Sequence, residues 1–241
     1  QQFGFRRKKG TQDAILQLQR HAIEALDKEL IPVAIMLDFS SAFDCIPHQR
    51  LASKLERRGL TQKALLLLKN YLNHRAQRLR CATSLSDPEE IVCGVPQGGS
   101  LSSILFTITI YINDLSESNT ERITYLGYAD DTSLLFAFKN EIDFEVLESE
   151  MRRVMSWSTL NGLRLNAQKS SYMIFHLRNT VQNRSIKAHR YDCQEDIHCQ
   201  CEEIENVSET KYLGMIIIDE QLSWKAHKTN LVKKLRAAAV T

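Results

Sequence analysis

Apolar positions along this chain recur at two different spacings. Ala14, Ile15, Leu18, Ala22, Ile23 and Leu26 come at helical intervals, with Thr11 placed to cap the first turn. Residues 32–37 then run apolar without a break, as a strand buried on both faces does, and end at Asp38. Two helices are predicted over 47–58 and 61–73, the first stopped by Gly59. Residues 77–83 and 90–93 read as a strand pair around the turn Ser86-Asp87-Pro88. A glycine-rich loop over 94–100 leads into a helix over 101–115 that is apolar nearly all round and therefore buried. Short strands over 123–126 and 133–138 flank a hairpin. A long amphipathic helix over 141–161 turns Leu147, Met151, Val154, Met155 and Trp157 inward and stops at Gly162. A strand at 171–175, a polar surface stretch at 177–195, strands at 199–207 and 211–218, and a basic helix at 224–240 complete the chain. Strands and helices alternate without a βαβ period, which argues for an α+β fold with a largely antiparallel sheet.

Composition narrows the class. The 241 residues are 43% hydrophobic and 25% charged, as in ordinary globular proteins, and suffice for one large domain or two small ones. No apolar run is long enough for a membrane span, and no signal-peptide pattern opens the chain. Its last residues lie inside a helical pattern, so the expectation is a piece of a longer protein. The net charge of +2 does not announce a nucleic-acid binder, but its distribution is uneven. Arg6-Arg7-Lys8-Lys9, then Arg75, Arg78 and Arg80, then Lys225, Lys228, Lys233, Lys234 and Arg236 form basic clusters, while acid gathers at 141–150. Such clusters suit phosphates as well as solvated faces. Cys45, Cys81 and Cys93 read as reduced core residues. Cys193, His198, Cys199 and Cys201 invite a zinc reading, but their spacing lacks the two separated pairs of common zinc patterns, so no zinc is expected. This cysteine usage suits an intracellular protein of nucleus or cytoplasm.

Candidate chemistry concentrates at Tyr128-Ala129-Asp130-Asp131, between the two strands of the hairpin. Adjacent carboxylates repel unless a cation neutralises them, and a hard divalent ion with oxygen ligands, such as Mg²⁺, fits. The same tetrapeptide also suits a solvated turn. Asp38, at the end of a central strand, is where a rigid scaffold would hold a catalytic carboxylate; a turn or cap aspartate is the plainer reading. The loop Gly94-Val95-Pro96-Gln97-Gly98 lets backbone approach a ligand closely, or simply precedes a core helix.

Taken in order, these motifs resemble the reverse transcriptase domain of non-LTR retrotransposons, long interspersed elements (LINE) of the broad Jockey/I type. Phe3-Gly4-Phe5-Arg6 resembles the family's fingers motif. Ala34-Ile35-Met36-Leu37-Asp38-Phe39-Ser40-Ser41-Ala42-Phe43-Asp44 resembles its first catalytic motif, and Tyr128-Ala129-Asp130-Asp131 its second. Gly162-Leu163 with Asn166 and Lys169, and Lys211-Tyr212-Leu213-Gly214, resemble the motifs that follow, the last being the primer grip.

The resemblance implies a right-hand polymerase: partial fingers at 1–30, a palm at 31–220 with inserted fingers elements at about 51–93, and the start of a thumb at 221–241. Its implied activity is RNA-directed DNA polymerisation, a nucleotidyl transfer using an RNA template, a DNA primer and deoxynucleoside triphosphates, with no membrane. Asp38, Asp130 and Asp131 are implied ligands of two Mg²⁺ ions, with Mn²⁺ as substitute. Lys169 is implied as proton donor to the leaving pyrophosphate, and Phe43 as the steric gate under the sugar. Phe39, Gln97, Gly98 and Arg6 would contact nucleotide or template, and Tyr212, Leu213 and Gly214 the primer. Gly99 and Ser102-Ser103 depart from the family pattern, which more often has Ser and Gly-Pro there. The start of the fingers, any endonuclease and most of the thumb would lie outside the chain. A catalytically inactive or domesticated RNA-binding copy is the alternative; a DNA-templated polymerase is a third reading. The intact aspartates favour the enzyme.

Overall fold

Alternate residues of the apolar run at 30–37 bury on opposite sides of one sheet, which is why the run carries no polar face. The computed structural model describes residues 2–4, 6–40, 43–96, 100–103, 105, 115, 123–176, 184–190, 193, 199–214 and 216–238. In chain order α1 (Thr11–Asp27) leads to β1 (Leu30–Leu37) and β2 (Phe39–Ser40), then α2 (His48–Arg57) and α3 (Gln62–Leu72). Four two-residue strands follow: β3 (Ala76–Gln77), β4 (Arg80–Cys81), β5 (Ser84–Leu85) and β6 (Glu89–Glu90). Then come α4 (Ser100–Ser103), β7 (Thr124–Tyr128), β8 (Asp131–Lys139), α5 (Phe144–Leu160), β9 (Arg164–Leu165) and β10 (Ser171–Ile174). The last elements are β11 (Ile186–Ala188), β12 (Glu202–Asn206), β13 (Glu209–Tyr212), β14 (Ile216–Asp219) and α6 (Lys225–Ala238).

The main sheet has the order β11-β12-β10-β1-β8-β7. β1 lies inside it, antiparallel to both β8 and β10; only β10 and β12 run parallel. Ala34 of β1, Leu135 of β8 and Met173 of β10 face one side, where they meet Ala14, Ile15, Leu18 and Ala22 of α1. The small residues of α1 let that helix sit close. Val33, Ile35 and Leu37, with Leu134, Phe136, Tyr172 and Ile174, face the other side and meet Leu147, Met151 and Val154 of α5. Each of these three α5 side chains is fully buried, a contribution of about 1.5–3 kcal/mol apiece relative to exposure.

Several expectations change. Gly10, not Thr11, caps α1, and the Asp13 carboxylate accepts the Gly10 N–H at 2.7 Å. The strand pair at 77–93 is two nested ladders, β4 with β5 inside β3 with β6; the chain reverses at Ala82 (φ 51°), not at Ser86-Asp87-Pro88. The run at 211–218 is split into the hairpin β13–β14, because Leu213 (φ 50°) and Gly214 (φ 66°) take left-handed backbone. The polar stretch at 177–195 hides a strand, β11, with Ile186 and Ala188 fully buried. Cys81 and Cys93 are exposed and Cys45 half-buried, so none is a core residue. Most of the helix expected at 101–115 lies outside the described residues.

Candidate active site

β1 ends at Leu37 opposite Thr132, so the next step of the ladder sets Asp38 beside Asp131. β7 and β8 pair up to Tyr128↔Asp131, leaving Ala129 and Asp130 as a two-residue turn. Strand pairing alone therefore gathers three carboxylates at one end of the sheet. Asp130 and Asp131 both feel Asp38 electrostatically. Asp131 shows surface to solvent, yet the protein packed around its carboxyl removes much of its water. That desolvation, followed by the Asp130 and Asp38 charges, pushes its pKa up to about 6. Asp130 is also raised, first by burial; its own backbone N–H works against this and Asp38 adds to it. Hard oxygen donors that repel one another at this range fit a divalent cation.

The backbone under these carboxylates is held from several directions. The Asp38 N–H donates to Ser170 Oγ at 3.1 Å, and the Asp38 carbonyl accepts the Asn166 N–H at 2.8 Å. Ser170 Oγ in turn donates to the Asn166 carbonyl at 2.8 Å. Ala129 sits at φ 58°, a costly conformation for alanine. Gln2 holds it there: the Ala129 N–H donates to Gln2 Oε1 at 3.2 Å, and Gln2 Nε2 donates to the Ala129 carbonyl at 3.3 Å. Phe3 N–H donates to the Gly127 carbonyl at 2.7 Å. Gly4 is required by proximity, since a Cβ there would lie 2.3 Å from the Ala129 nitrogen. Sequence reasoning missed Gln2 and Ser170, as neither carries a motif signal. Gly4 stood in a motif but with a different role.

The other expected residues are distributed as follows. Phe43 is partly buried against the core, with its carbonyl accepting the Val95 N–H at 2.8 Å. The glycine loop begins locked to this same turn: Gly94 has φ 85°, and a Cβ on it would meet the Asp44 carbonyl oxygen at 2.7 Å. A cleft of about 550 Å³ opens there, lined by Asp44, Arg75, Gln77 and Gly94–Pro96. Gln97 and Gly98 lie outside the described residues. Phe39 is in the core, edge-on to Trp157 at 6.2 Å between ring centres, which leaves its side chain no free surface for a substrate. Lys169 is exposed on the turn that holds Asp38. Arg6 is exposed, and its Nη1 donates to the Gln2 carbonyl at 3.4 Å.

Tyr212 is buried, its hydroxyl 3.2 Å from Ser133 Oγ, two residues beyond Asp131. Burial pushes its pKa up, and the Asp131 charge adds to this. Leu213 and Gly214 form the turn beyond it. The site is thus reached by β1, β7, β8, the turn before β10 and the β13–β14 hairpin. None of the helices among the described residues is long and apolar enough to cross a membrane.

Residues 1–217 match the family described as reverse transcriptase (RNA-dependent DNA polymerase). The RNA-directed DNA polymerase from mobile element jockey of Drosophila melanogaster is 27% identical over 248 residues, covering 98% of this chain and 25% of that protein. The probable RNA-directed DNA polymerase from transposon BS of the same organism is 27% identical over 234 residues, covering 94% of this chain and 24% of that one. The chain thus spans about a quarter of the length of the curated relatives it matches. Among solved structures, telomerase from Candida tropicalis with a TWJ fragment of telomeric RNA superposes at a TM-score of 0.53 and 13% identity, over 87% of this chain and 32% of that one. Its counterpart from Candida albicans gives 0.52 and 13%, over 73% and 33%. At such identities the likeness is one of fold, the right-hand polymerase fold.

Proposed function

The chain belongs to the reverse transcriptase (RNA-dependent DNA polymerase) family, and from that premise we propose that it is the polymerase core of a non-LTR retrotransposon protein of the jockey kind. The reaction is attack of a DNA primer 3′-hydroxyl on the α-phosphate of a deoxynucleoside triphosphate, directed by an RNA template, with pyrophosphate leaving. One observation carries the reading: β-pairing converges Asp38, Asp130 and Asp131 on one end of a rigid sheet, with the Asp130 turn clamped from behind.

These three carboxylates would hold two divalent cations, Mg²⁺ or in its place Mn²⁺, which when bound acidify the primer hydroxyl and neutralise charge on the triphosphate. The raised pKa values of Asp130 and Asp131 support this, since burial first and neighbouring carboxylate charge after it penalise the anions, and a cation would relieve both. Phe43, beside the glycine loop, would lie under the sugar and exclude a 2′-hydroxyl. The exposed Lys169 ammonium would donate a proton to pyrophosphate. Arg6, Gln97, Gly98 and the backbone of Phe39 would meet the triphosphate or template. Tyr212, anchored on Ser133, would aim the Leu213-Gly214 turn at the primer end. In domain terms this reading makes 1–30 partial fingers, 31–220 palm with inserted fingers elements at about 51–93, and 221–241 the start of a thumb. The basic α6 would track the duplex backbone, a contact that weakens with salt. Such a protein works inside the cell.

Primer extension on an RNA template with a DNA primer, with and without Mg²⁺, tests the proposal. Synthesis that is metal-dependent and lost in Asp130→Ala, while that variant melts within about 2 °C of the parent, is the expected result. RNA binding with no incorporation under any divalent metal would leave the inactive, binding-only reading instead.

A further inference from the structure

The polar stretch before β12 holds half of the chain's six cysteines within nine residues, and the fold brings a histidine to them. β11 and β12 pair antiparallel with Ala188 opposite Glu202, so the next step outward sets His189 against Cys201. Cys193 and Cys199 belong to the connection that joins the two strands at this end. His189 Nδ1 lies 3.5 Å from Cys193 Sγ and 3.6 Å from Cys199 Sγ. The four ligand atoms all fall within 4.8 Å of one another.

We propose that His189, Cys193, Cys199 and Cys201 form a tetrahedral zinc site that closes the β11–β12 hairpin at the edge of the sheet. A regular tetrahedron with ordinary Zn–N and Zn–S lengths has N–S edges of about 3.6 Å and S–S edges of about 3.8 Å. The two N–S separations already match; the widest edge needs to close by about 1 Å. Three thiolates and one imidazole select a soft or borderline ion over the hard cations suited to the aspartates. His189 is buried while the thiols are half-buried, as in a closed knuckle reached from one side.

The surroundings match the charge. Zn²⁺ with three thiolates carries a net charge of −1, and the Lys187 ammonium lies 3.9 Å from Cys199 Sγ. The Arg190 N–H donates to Cys201 Sγ at 3.5 Å, the kind of outer hydrogen bond that orients metal ligands. A mechanical reason is also on hand. β12 joins β10 through a parallel ladder of only two paired positions, Ser171↔Glu205 and Tyr172↔Asn206. A cross-link at the far end of β12 would keep that edge in register. The site differs from the set first suspected: His189 stands in the cluster, and His198 lies outside the described residues.

The test uses the whole chain without a polyhistidine tag, prepared under reducing conditions and dialysed. Elemental analysis should find one zinc per chain. Replacement by Co²⁺ should give a thiolate-to-metal charge-transfer band together with the intense visible bands of tetrahedral cobalt. Cys199→Ser and His189→Ala should lose the metal, whereas Cys81→Ser and Asp130→Ala should keep it, separating this site from the aspartates. The cobalt spectrum of the parent chain needs no variant to fold. Background zinc after exposure to Zn²⁺, a cobalt spectrum of octahedral oxygen type, or a disulfide mapped between any two of these three cysteines would each overturn the proposal.

Discussion

Replacing Gly4 by alanine places a methyl group where the structure has backbone. The new Cβ would lie 2.3 Å from the Ala129 nitrogen, 3.0 Å from its Cα and 3.1 Å from the Tyr128 carbonyl carbon. Carbon contacts settle at about 3.5–4.0 Å, so the two segments must part by about 1 Å. That separation breaks the bonds by which residues 2–4 hold the turn: Phe3 N–H to Gly127, and the pair between Gln2 and Ala129. At about 1 kcal/mol each, the loss is about 3 kcal/mol. For a chain of this size that lowers the melting temperature by about 6–12 °C. Restricting the unfolded chain works the other way, but by only about 0.4–1 kcal/mol. The turn carries Asp130 and starts Asp131, so a displacement of about 1 Å should also cost about 10²-fold in the rate of primer extension. Gly10→Ser is the control, because its nearest neighbour to an added Cβ is Asp13 Oδ2 at 3.8 Å and serine is a good N-cap. A Gly4→Ala chain that melts with the parent and extends primers at the parental rate would refute the clamp.

Other outcomes follow from the same geometry. Folding raises the Asp130 and Asp131 pKa values above their unfolded values, with Asp131 at about 6. The folded chain therefore binds protons more tightly, and without divalent metal its stability should fall as pH rises from about 4 to 6. Thermal melts with and without Mg²⁺ should show larger metal stabilisation at pH 7.5 than at pH 5, and equal shifts would contradict a carboxylate metal site. Phe43→Ala should admit ribonucleotides at least about tenfold better, a change of about 1.4 kcal/mol in the competing barriers; unchanged sugar selection removes it as the gate. The buried Glu150 accepts hydrogen bonds from Tyr125 and from Arg153 Nε, the latter at 2.8 Å. Glu150→Ala removes the acceptor they share and should cost about 2–3 kcal/mol in urea unfolding, with Glu150→Gln costing less.

The three candidate aspartates were legible because each sits where a local pattern breaks. Asp38 ends an unbroken apolar run, and Asp130-Asp131 interrupts two strand-like segments. The buried face of α5 was legible too, since its apolar spacing is strictly local. Turn geometry was less so: Ala82 takes left-handed backbone without being glycine or asparagine, so the nested ladders left no ordinary turn signal, and in the β13–β14 hairpin the single glycine, Gly214, stands inside an otherwise strand-like run. β11 was hidden because three residues are too few to show a period.

The sequence by itself determined the long helices and strands, the two-sided burial of β1 and the identity of the three carboxylates, because these follow from neighbours close along the chain. Only the tertiary structure decided which distant residues support them. Gln2 reaches Ala129 across 127 positions, and Ser170 reaches Asp38 across 132. Likewise His189 meets Cys201 only because β11 and β12 pair. Such contacts arise from register and close approach between separate segments, and no local periodicity encodes them.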